Sequence, residues 1–526
     1  MAVTPTMQDE VAFISNVNAN GTLAQKSFYS WNQNTPASYS TTWTTARKWG
    51  GTAAGTSGGT IAYDFDPGSK WSATEQKWLT AGLALWAAVA NVKFVQTTNS
   101  AQAKITFHRT TNGGSYTYAF YNPALNACVS GGKVLGTITN SSINIDPNGT
   151  TFGPINGLAS QGGFTIENLI HEEGHALGLG HAGPYNGAVN TFTQQYSAYD
   201  TKLYSVMSYI NPNTASKYGS QSPVAGVDWG GGQPTTWMPL DILAIQRIYG
   251  VAATTPLDGG EVFGFHTNIK GALQPFFDFT QNKKPIITIW DKGTGNALDL
   301  SGFSGTASVN LNPGTYSSAA GLTKNIAIAY GTQINKLVCT AGGSTVTCNN
   351  DGDTVIGGMG ADTIRSGSGN DSLSGGNGND IFYASTGNDT INGGAGTDTI
   401  VFAGKAGAYK IEKNAAGQIS VTGTGTKDIL ASVEVLKFAD KSITSSGLLA
   451  GTLNDTGITT ASTTPIGWSP ITAPTSSTAL NALPAGATDR DVLADLRPAA
   501  PLTNSTPLLS TRLIDSAPVW HAAVAS

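Results

Sequence analysis

Three histidines lie within eleven residues of this chain, in the order His171, His175 and His181. On a helix, His171 and His175 are one turn apart and share a face, so their imidazoles can hold one Zn²⁺. Gly178 can leave the helix through a positive φ angle, which returns His181 to the same ion as a third ligand. Because three protein ligands leave one position open for water, the spacing is typical of a catalytic zinc site rather than a structural one.

An acidic residue and a later turn complete this predicted site. Glu172 adjoins the first predicted ligand but is poorly placed to bind the metal, so it can take a proton from a water molecule that the metal polarises. Downstream, the segment Ser205-Val206-Met207-Ser208-Tyr209 is typical of a Met-turn when it follows a three-histidine motif. The alternative is that these are ordinary histidines, but the chain has only six, and three of them fall in this window.

A nine-residue repeat occupies residues 348–401. Its aspartates are Asp353, Asp362, Asp371, Asp380, Asp389 and Asp398. Two residues after each aspartate comes an apolar residue, in turn Val355, Ile364, Leu373, Phe382, Ile391 and Ile400. The glycines of the intervening turns include Gly358, Gly360, Gly376, Gly378, Gly394 and Gly396. This pattern is the Gly-Gly-x-Gly-x-Asp-x-U-x unit of a parallel β-roll, in which U is a stacked apolar side chain.

The repeat predicts calcium binding. Aspartate carboxylates and glycine carbonyls of neighbouring turns can form the oxygen cages that Ca²⁺ prefers. Without the ion, stacked aspartates repel one another and the apolar core is narrow, so we expect the roll to fold only with calcium. The alternative is a flexible linker rich in glycine and aspartate. Six consecutive units with the same nine-residue spacing argue against it.

The two motifs resemble those of the serralysin group of metzincins, which are secreted bacterial metalloproteases. The resemblance runs through residues 240–250 and covers roughly residues 60–401. It implies one catalytic zinc ion on the three histidines, Glu172 as the general base and several structural calcium ions. It also implies that Tyr209 is a supplementary zinc ligand, which swings away to donate a hydrogen bond to the oxyanion; a packed aromatic is the alternative.

The same resemblance carries three further expectations. A substrate would lie extended along an edge strand near residues 116–120. A calcium site between the domains would use Asp291, although Asn296 and Gly260 stand where acidic residues are usual. Ala182 replaces the proline that family members commonly place after the third histidine, which should alter a turn without removing a ligand.

Local patterns predict the elements around the site. Alternation over residues 61–65 predicts a strand, and Ser72 with Glu75 forms a capping box ahead of an amphipathic helix. Further strands are predicted near 103–108 and 116–120, and helices over 165–177 and Pro239–Tyr249, the last with Gly250 as its stop.

We predict an α+β metzincin catalytic domain followed by an all-β parallel β-roll. The predicted boundaries are 1–30 for a propeptide or lead-in, 31–255 for the catalytic domain, 256–401 for a β-sandwich and the β-roll, 402–449 for a small β appendage and 450–526 for a flexible tail and candidate secretion signal. Cys339 and Cys348 predict either a small disulfide loop or two buried thiols, with equal weight, and Cys128 is assigned no role.

Composition limits the partners. The chain has 526 residues and a net charge of −5, which does not imply a nucleic-acid partner. It has no apolar run of about 18 residues, so no membrane span is predicted. No classical signal peptide is visible at the amino terminus. Because repeat proteins of this kind typically leave through a one-step secretion machinery, we expect an extracellular or cell-surface monomer that acts on proteins or peptides.

The predicted function is that of a secreted, zinc-dependent endopeptidase that hydrolyses peptide bonds of extracellular proteins and is stabilised by calcium. Two alternatives stay open. One is a dedicated protease that processes a surface protein, and the other is a catalytically inactive repeat protein of the cell surface. The intact zinc motif argues against the second alternative, because decay usually removes such residues first.

Overall fold

The architecture is that of a computed structural model of the chain. The residues it describes are 5–34, 38–40, 44–122, 132, 134–147, 153–158, 164–218, 224–448, 451–454, 457–459 and 511–512. The α-helices of this described part are α1 (Pro5–Ser15), α2 (Ala73–Val89), α3 (Phe164–Ala176), α4 (Pro239–Tyr249) and α5 (Gln274–Phe277).

The strands fall into three groups along the chain. The first group is β1 (Arg47–Lys48), β2 (Gly59–Phe65), β3 (Val92–Gln96), β4 (Ile105–Arg109), β5 (Tyr116–Asn122) and β6 (Gly136–Ile145). The second is β7 (Val262–Gly264), β8 (Ile287–Ile289), β9 (Asn296–Asp299), β10 (Ala307–Asn310), β11 (Tyr316–Ser317), β12 (Ile326–Ile328), β13 (Ile334–Val338), β14 (Ser344–Thr347), β15 (Thr354–Ile356), β16 (Thr363–Arg365), β17 (Ser372–Asn377), β18 (Ile381–Tyr383), β19 (Thr390–Ala395) and β20 (Thr399–Val401). The third is β21 (Lys410–Lys413), β22 (Ile419–Gly423), β23 (Thr426–Ala431), β24 (Val435–Lys437), β25 (Ser442–Thr444), β26 (Gly451–Asn454), β27 (Gly457–Thr459) and β28 (Thr511–Arg512).

One mixed sheet lies beside the zinc motif. Its strand order is β28-β5-β6-β4-β2-β3, and β1 also pairs with β6. Strand β5 runs antiparallel to β6, whereas β4 pairs in parallel with both β6 and β2. On its outer side, β5 pairs at Phe120 and Tyr121 with the two residues of β28. Residues 116–119 therefore lie at the edge of the described sheet.

Helix α2 begins where the sequence predicts, and helix α4 begins and ends where it predicts. The Ser72 side chain accepts from the Glu75 backbone N–H, and the Glu75 carboxylate accepts from the Ser72 N–H at 2.8 Å, so the capping box is confirmed. Helix α4 begins at Pro239 and stops before Gly250, whose φ angle is 76°.

Part of the predicted propeptide or lead-in over residues 1–30 forms helix α1. Along α1, the side chains of Phe13 and Ile14 are fully buried, and the Phe13 ring centroid lies 4.1 Å from that of Tyr196. Helix α1 also packs against α4. The described part of this segment therefore belongs to the core of the amino-terminal region, residues 5–251.

The nine-residue units wind into a roll with two sheets. Strands β13, β15, β17 and β19 pair in parallel in one sheet, and β14, β16, β18 and β20 pair in parallel in the other. Consecutive units alternate between the sheets, so one coil of the roll takes two units. The apolar U residues are all fully buried between the sheets, at Val355, Ile364, Leu373, Phe382, Ile391 and Ile400. The predicted fold class, an α+β region followed by a parallel β-roll, is confirmed.

The predicted appendage over residues 402–449 contributes strands to the roll itself. Strand β23 adds in parallel to β19, and β24 adds in parallel to β20. Their side chains Leu430 and Leu436 are buried and continue the apolar stack. Beyond them the pairing is antiparallel, through β22 and β21 in one sheet and β25 in the other. These antiparallel strands form the end cap of the roll.

The remaining sequence predictions concern the cysteines and the tail. Cys339 and Cys348 are buried and unbonded, which favours two thiols over a disulfide, and burial raises the pKa of Cys339 to about 12. Cys128 and most of the predicted tail over 450–526 lie outside the described residues. None of the described helices combines the length and apolar character that a membrane crossing requires.

Candidate metal centre

The three predicted zinc ligands converge. The Nε2 atom of His175 lies 3.0 Å from the Nε2 atom of His171 and 3.0 Å from that of His181. His171 and His175 share one face of α3, which ends at Ala176. Gly178 then takes a φ angle of 94°, and a side chain there would clash with the Arg47 carbonyl. The turn that returns His181 therefore requires glycine, as the sequence predicts.

The outer nitrogen of each ring faces a backbone carbonyl. The Nδ1 atoms of His171, His175 and His181 lie 2.8, 2.9 and 2.8 Å from the carbonyl oxygens of Val206, Leu179 and Tyr185, respectively. A carbonyl only accepts, so each Nδ1 carries a proton, and Nε2 atoms 3.0 Å apart leave no room for a proton on every Nε2 as well. The three Nε2 lone pairs then point at one another, an arrangement that a cation stabilises.

The nature of the donors selects the kind of ion. Burial, together with the neighbouring imidazoles of His175 and His171, lowers the pKa of His181 well below its usual value, which keeps that ring neutral and available as a ligand. Three buried, neutral imidazoles suit zinc and related transition metals better than calcium or magnesium, which prefer oxygen. The cluster therefore fits the zinc ion that the motif predicts.

The floor of the cluster is fixed by an aspartate of α4. Asp241 accepts from the Ser205 hydroxyl at 2.6 Å and from the Val206 backbone N–H at 2.8 Å, and burial raises its pKa to about 7. Met207 is fully buried beneath α3, where a Cβ atom at Gly174 would lie 2.8 Å from its Sδ atom. This segment has the position of the predicted Met-turn. Asp241 was not predicted as a site residue. The sequence signal that could have indicated it is its position in the first turn of α4.

Tyr209 lies beside the ligands. Its ring centroid is 4.6 Å from that of His181, and it stacks on Tyr185 at 5.0 Å with an interplanar angle of 29°. The Tyr185 hydroxyl donates to Asp200 at 2.6 Å, and the Ser208 hydroxyl donates to the same carboxylate oxygen at 2.7 Å. Burial raises the pKa of Asp200 to about 6. Tyr185 and Asp200 were not singled out from the sequence, since no local motif contains both.

Two adjacent glutamates on α3 have different surroundings. Glu172 is buried, and the Thr117 hydroxyl of β5 lies 2.8 Å from its Oε2 atom. Glu173 is also buried and faces Gly82 of α2, but neither of its carboxylate oxygens has a hydrogen-bond partner among the described residues. Burial raises the pKa of Glu173 well above its usual value. Of these two glutamates, only Glu172 has a described hydrogen-bond partner for its carboxylate, Thr117 of the edge strand β5.

The six repeat aspartates form two columns inside the roll. All six are buried, at positions 353, 362, 371, 380, 389 and 398. The backbone N–H of Asp353 donates to Asp371 at 2.6 Å, and that of Asp371 donates to Asp389 at 3.0 Å, one coil further on. One carboxylate oxygen of each of four aspartates has no hydrogen-bond partner among the described residues, namely Asp353, Asp380, Asp389 and Asp398.

The electrostatics of these columns suit a hard cation. Burial and neighbouring carboxylates raise the pKa of Asp353, Asp380 and Asp389 to about 7 each. The six predicted glycines also stack in columns, in the orders Gly358-Gly376-Gly394 and Gly360-Gly378-Gly396. In each column a side chain on one glycine would collide with the backbone of the glycine one coil before. Carboxylate and backbone oxygens therefore lie close together without intervening side chains, which fits Ca²⁺.

Two acidic residues that sequence reasoning missed extend the columns. The Asp389 N–H donates to Asp428 at 3.1 Å, and the Asp398 N–H donates to Glu434 at 2.8 Å. Asp428 is followed two residues later by the buried Leu430, and Glu434 by the buried Leu436. The spacing between acid and apolar residue is therefore that of the repeat, but these positions do not continue its nine-residue register.

Asp291 also has an acidic neighbour that was missed. Its Oδ2 atom has no hydrogen-bond partner among the described residues, and burial with the adjacent Glu261 carboxyl raises its pKa to about 8. The resemblance places acidic residues at 260 and 296, where this chain has Gly260 and Asn296. Asn296 instead donates to the Gly293 carbonyl at 3.2 Å. The second carboxyl group of this candidate calcium site therefore comes from Glu261.

Comparison with known proteins finds similarity to serralysins and related metallopeptidases. Residues 252–419 match the family described as Peptidase M10 serralysin C terminal. Metallopeptidase AprA of Pseudomonas marginalis is 30% identical over 284 residues, which are 53% of this chain and 54% of AprA. Serralysin of Photorhabdus luminescens is 30% identical over 287 residues, with the same 53% and 54% shares.

The matches extend over part of each protein. The aligned part of the chain spans about half the length of these curated relatives. Among solved structures, high choriolytic enzyme 1, a hatching-enzyme zinc protease of Oryzias latipes, aligns at 17% identity and a TM-score of 0.22 over 38% of this chain and 94% of that one. The sequence matches confirm the resemblance to the serralysins, and residues 252–419 are similar to their C-terminal region.

Proposed function

We propose that the chain is a secreted, zinc-dependent endopeptidase that hydrolyses peptide bonds of extracellular proteins. The observation that carries this proposal is the convergence of three imidazoles, with the Nε2 atom of His175 3.0 Å from those of His171 and His181, on the helix that also carries Glu172. The serralysin and metallopeptidase names of the relatives support the same reaction class.

In this proposal the chemistry is divided among few residues. His171, His175 and His181 would hold a zinc ion, which would supply Lewis-acid activation of a water molecule and of the peptide carbonyl. Glu172 accepts the proton of the water and passes it to the leaving amine. Tyr209 would be a supplementary ligand of that ion in the resting site, and its hydroxyl would donate a hydrogen bond to the oxyanion. Tyr185 stacks on the Tyr209 ring beside the cluster.

The peptide substrate is proposed to bind along the outer edge of β5. Residues 116–119 lie at the edge of the described sheet, and β28 shows antiparallel pairing at the neighbouring Phe120 and Tyr121. An extended peptide that runs antiparallel to β5, as β28 does, would form main-chain hydrogen bonds with this edge. It would then lie across α3, which contacts β5. Backbone pairing of this kind suits protein substrates of varied sequence.

Calcium is proposed to complete the β-roll outside the cell. The buried oxygens of Asp353, Asp380, Asp389 and Asp398 that have no hydrogen-bond partner are candidate ligands. The Asp291 carboxyl, with Glu261, is a further candidate. Because a cation is needed to offset the repulsion between these acids, the roll would stay incompletely folded where calcium is scarce. This property suits export through a one-step secretion machinery.

Substitution of Glu172 tests the peptidase proposal. Glu172→Gln keeps the shape of the side chain but removes the base, so kcat on casein should fall by about 10² to 10⁴ while one zinc per chain is retained. The matched control is Glu173→Gln, one residue along the helix on a side chain that faces Gly82, which should retain parent activity. Casein cleavage by Glu172→Gln at the parent rate would overturn the proposal. An inactive parent that binds zinc would favour the catalytically inactive surface protein.

A further inference from the structure

A threonine on the edge strand contacts the proposed general base. The Thr117 Oγ1 atom lies 2.8 Å from Oε2 of Glu172 and 2.9 Å from the backbone carbonyl oxygen of the same residue. Thr117 is 2% exposed and Glu172 is 4% exposed, so bulk water competes little for this contact. The hydrogen bond therefore has more influence on the orientation of the carboxylate than an exposed one would have.

The backbone holds the threonine rigidly. Thr117 pairs with Ile143 in the antiparallel ladder of β5 and β6, and the Ile143 side chain is fully buried. A β-branched side chain has few χ1 rotamers in a strand, so the position of its hydroxyl is set by the sheet. The glutamate side chain has more rotational freedom, and the contact restricts it.

The hydroxyl can keep the contact through a turnover. While Glu172 is ionised, Thr117 donates its single proton to Oε2. Once Glu172 has accepted a proton on its other carboxylate oxygen, from which it can pass to the leaving amine, Oε2 remains an acceptor and Thr117 continues to donate to it. Both distances are within hydrogen-bond range, so neither state requires the carboxyl group to move.

We propose that Thr117 is a positioning residue that holds the Glu172 carboxylate in its reactive orientation and ties it to the strand that aligns the substrate. The inference rests on the proposed peptidase function and deepens it. Substrate pairing to the outer edge of β5 and orientation of the base from its inner face then depend on the same strand. The scissile bond and the base would keep a fixed relative position.

Three single variants test this role with casein or a quenched peptide as substrate. Thr117→Val keeps the shape and removes the hydroxyl, so kcat should fall about tenfold while KM stays within about twofold and zinc content is unchanged. Thr117→Ser restores the hydroxyl and should recover most of the lost kcat. The control is Ser141→Ala on β6, which removes a buried hydroxyl that donates to the Tyr118 carbonyl at 3.0 Å and should leave kcat at the parent value.

A double-mutant cycle separates positioning from a general packing effect. The shorter side chain of Glu172→Asp cannot reach Thr117 in the same way, so Thr117→Val should cost less than about twofold in that background. An equal loss in both backgrounds, parent-like kcat in Thr117→Val, or no recovery in Thr117→Ser would overturn this inference and leave the proposed function in place. A zinc-loaded parent without peptidase activity would instead overturn both.

Discussion

The candidate zinc centre and the β-roll both bury ionisable groups close together, but different structures hold these groups in place. The candidate zinc centre consists of His171, His175, His181 and Glu172. In the zinc centre, backbone carbonyls hold the three imidazoles in a neutral tautomer, and α3 and the segment around Met207 pack them into a thick core. In the roll, one apolar side chain per unit forms the core, and buried carboxylates stack above one another. If the two sites bind zinc and calcium as proposed, the first would be built before its metal arrives, whereas the second would need its metal to become stable.

Selective metal removal should separate the two regions most strongly. Calcium depletion should abolish most amide protection over residues 353–401 and leave residues 164–181 protected, because only the roll depends on a cation to offset buried charge. Zinc removal with 1,10-phenanthroline should abolish casein cleavage without loss of protection in either region. Hydrogen exchange followed by mass spectrometry measures both effects, with readdition of each metal as the control. A site filled at a thousand times its Kd contributes about 4 kcal/mol.

Retained protection of residues 353–401 in calcium-free protein would contradict this contrast. The apolar stack from Val355 to Ile400 would then be sufficient for folding, and the two regions would differ only in the kind of metal that they bind.

Acidification should partly replace calcium in the roll. Asp353, Asp380 and Asp389 have pKa values raised to about 7 in the folded roll, whereas unfolded aspartate has a pKa of about 3.9. The folded state thus binds more protons between these values, so the stability of the calcium-free roll is greatest below about pH 4 and is lost as pH rises through about 7. Calcium-free protein moved from pH 8 to pH 5 should regain amide protection over residues 353–401.

The same pH change in saturating calcium supplies the control. Ligating carboxylates must be ionised, so acidification should then weaken calcium binding and give no gain in protection. A calcium-free roll that is equally unprotected at both pH values would show that charge repulsion is not the obstacle to folding.

A matched pair of acid-to-leucine substitutions gives the smallest expected effect. Glu173→Leu removes a buried carboxyl that has no described hydrogen-bond partner, so it should stabilise the amino-terminal region by about 1 to 3 kcal/mol. Asp380→Leu removes a candidate calcium ligand and should destabilise the roll in calcium. Urea unfolding in calcium, followed by hydrogen exchange in each region, measures both changes. Destabilisation by Glu173→Leu would indicate that this carboxyl makes a favourable interaction in solution.

Much of the fold could be predicted because the responsible signals are local. The capping box of Ser72 and Glu75 and the pair of Pro239 and Gly250 set the ends of their helices, as neighbouring atoms satisfy the terminal backbone groups. Helix α1 was missed because its burial depends on contacts with α4 and Tyr196, which are far away in sequence. A helix buried by remote partners need not have a clear polar face.

The same distinction applies to the sites. The three ligands share one short segment, so their spacing predicts their convergence. Asp200, Asp241 and Thr117 reach the site from other elements, and no spacing rule links them to the histidines. In the roll, the nine-residue period predicted six aspartates. It did not extend to Asp428 and Glu434, because the hairpin of β21 and β22 interrupts the register before the coil resumes.

The end cap has a consequence for association between molecules. A stack of identical parallel coils presents the same unpaired strand at its growing end, and a second molecule could add there to build a fibre. Here the last parallel strands, β23 and β24, are each covered by an antiparallel neighbour, β22 and β25. Because β22 and β25 run antiparallel, they do not offer the parallel edge that a further coil would need. The end cap therefore limits the number of coils in the roll and disfavours polymerisation of molecules through that end.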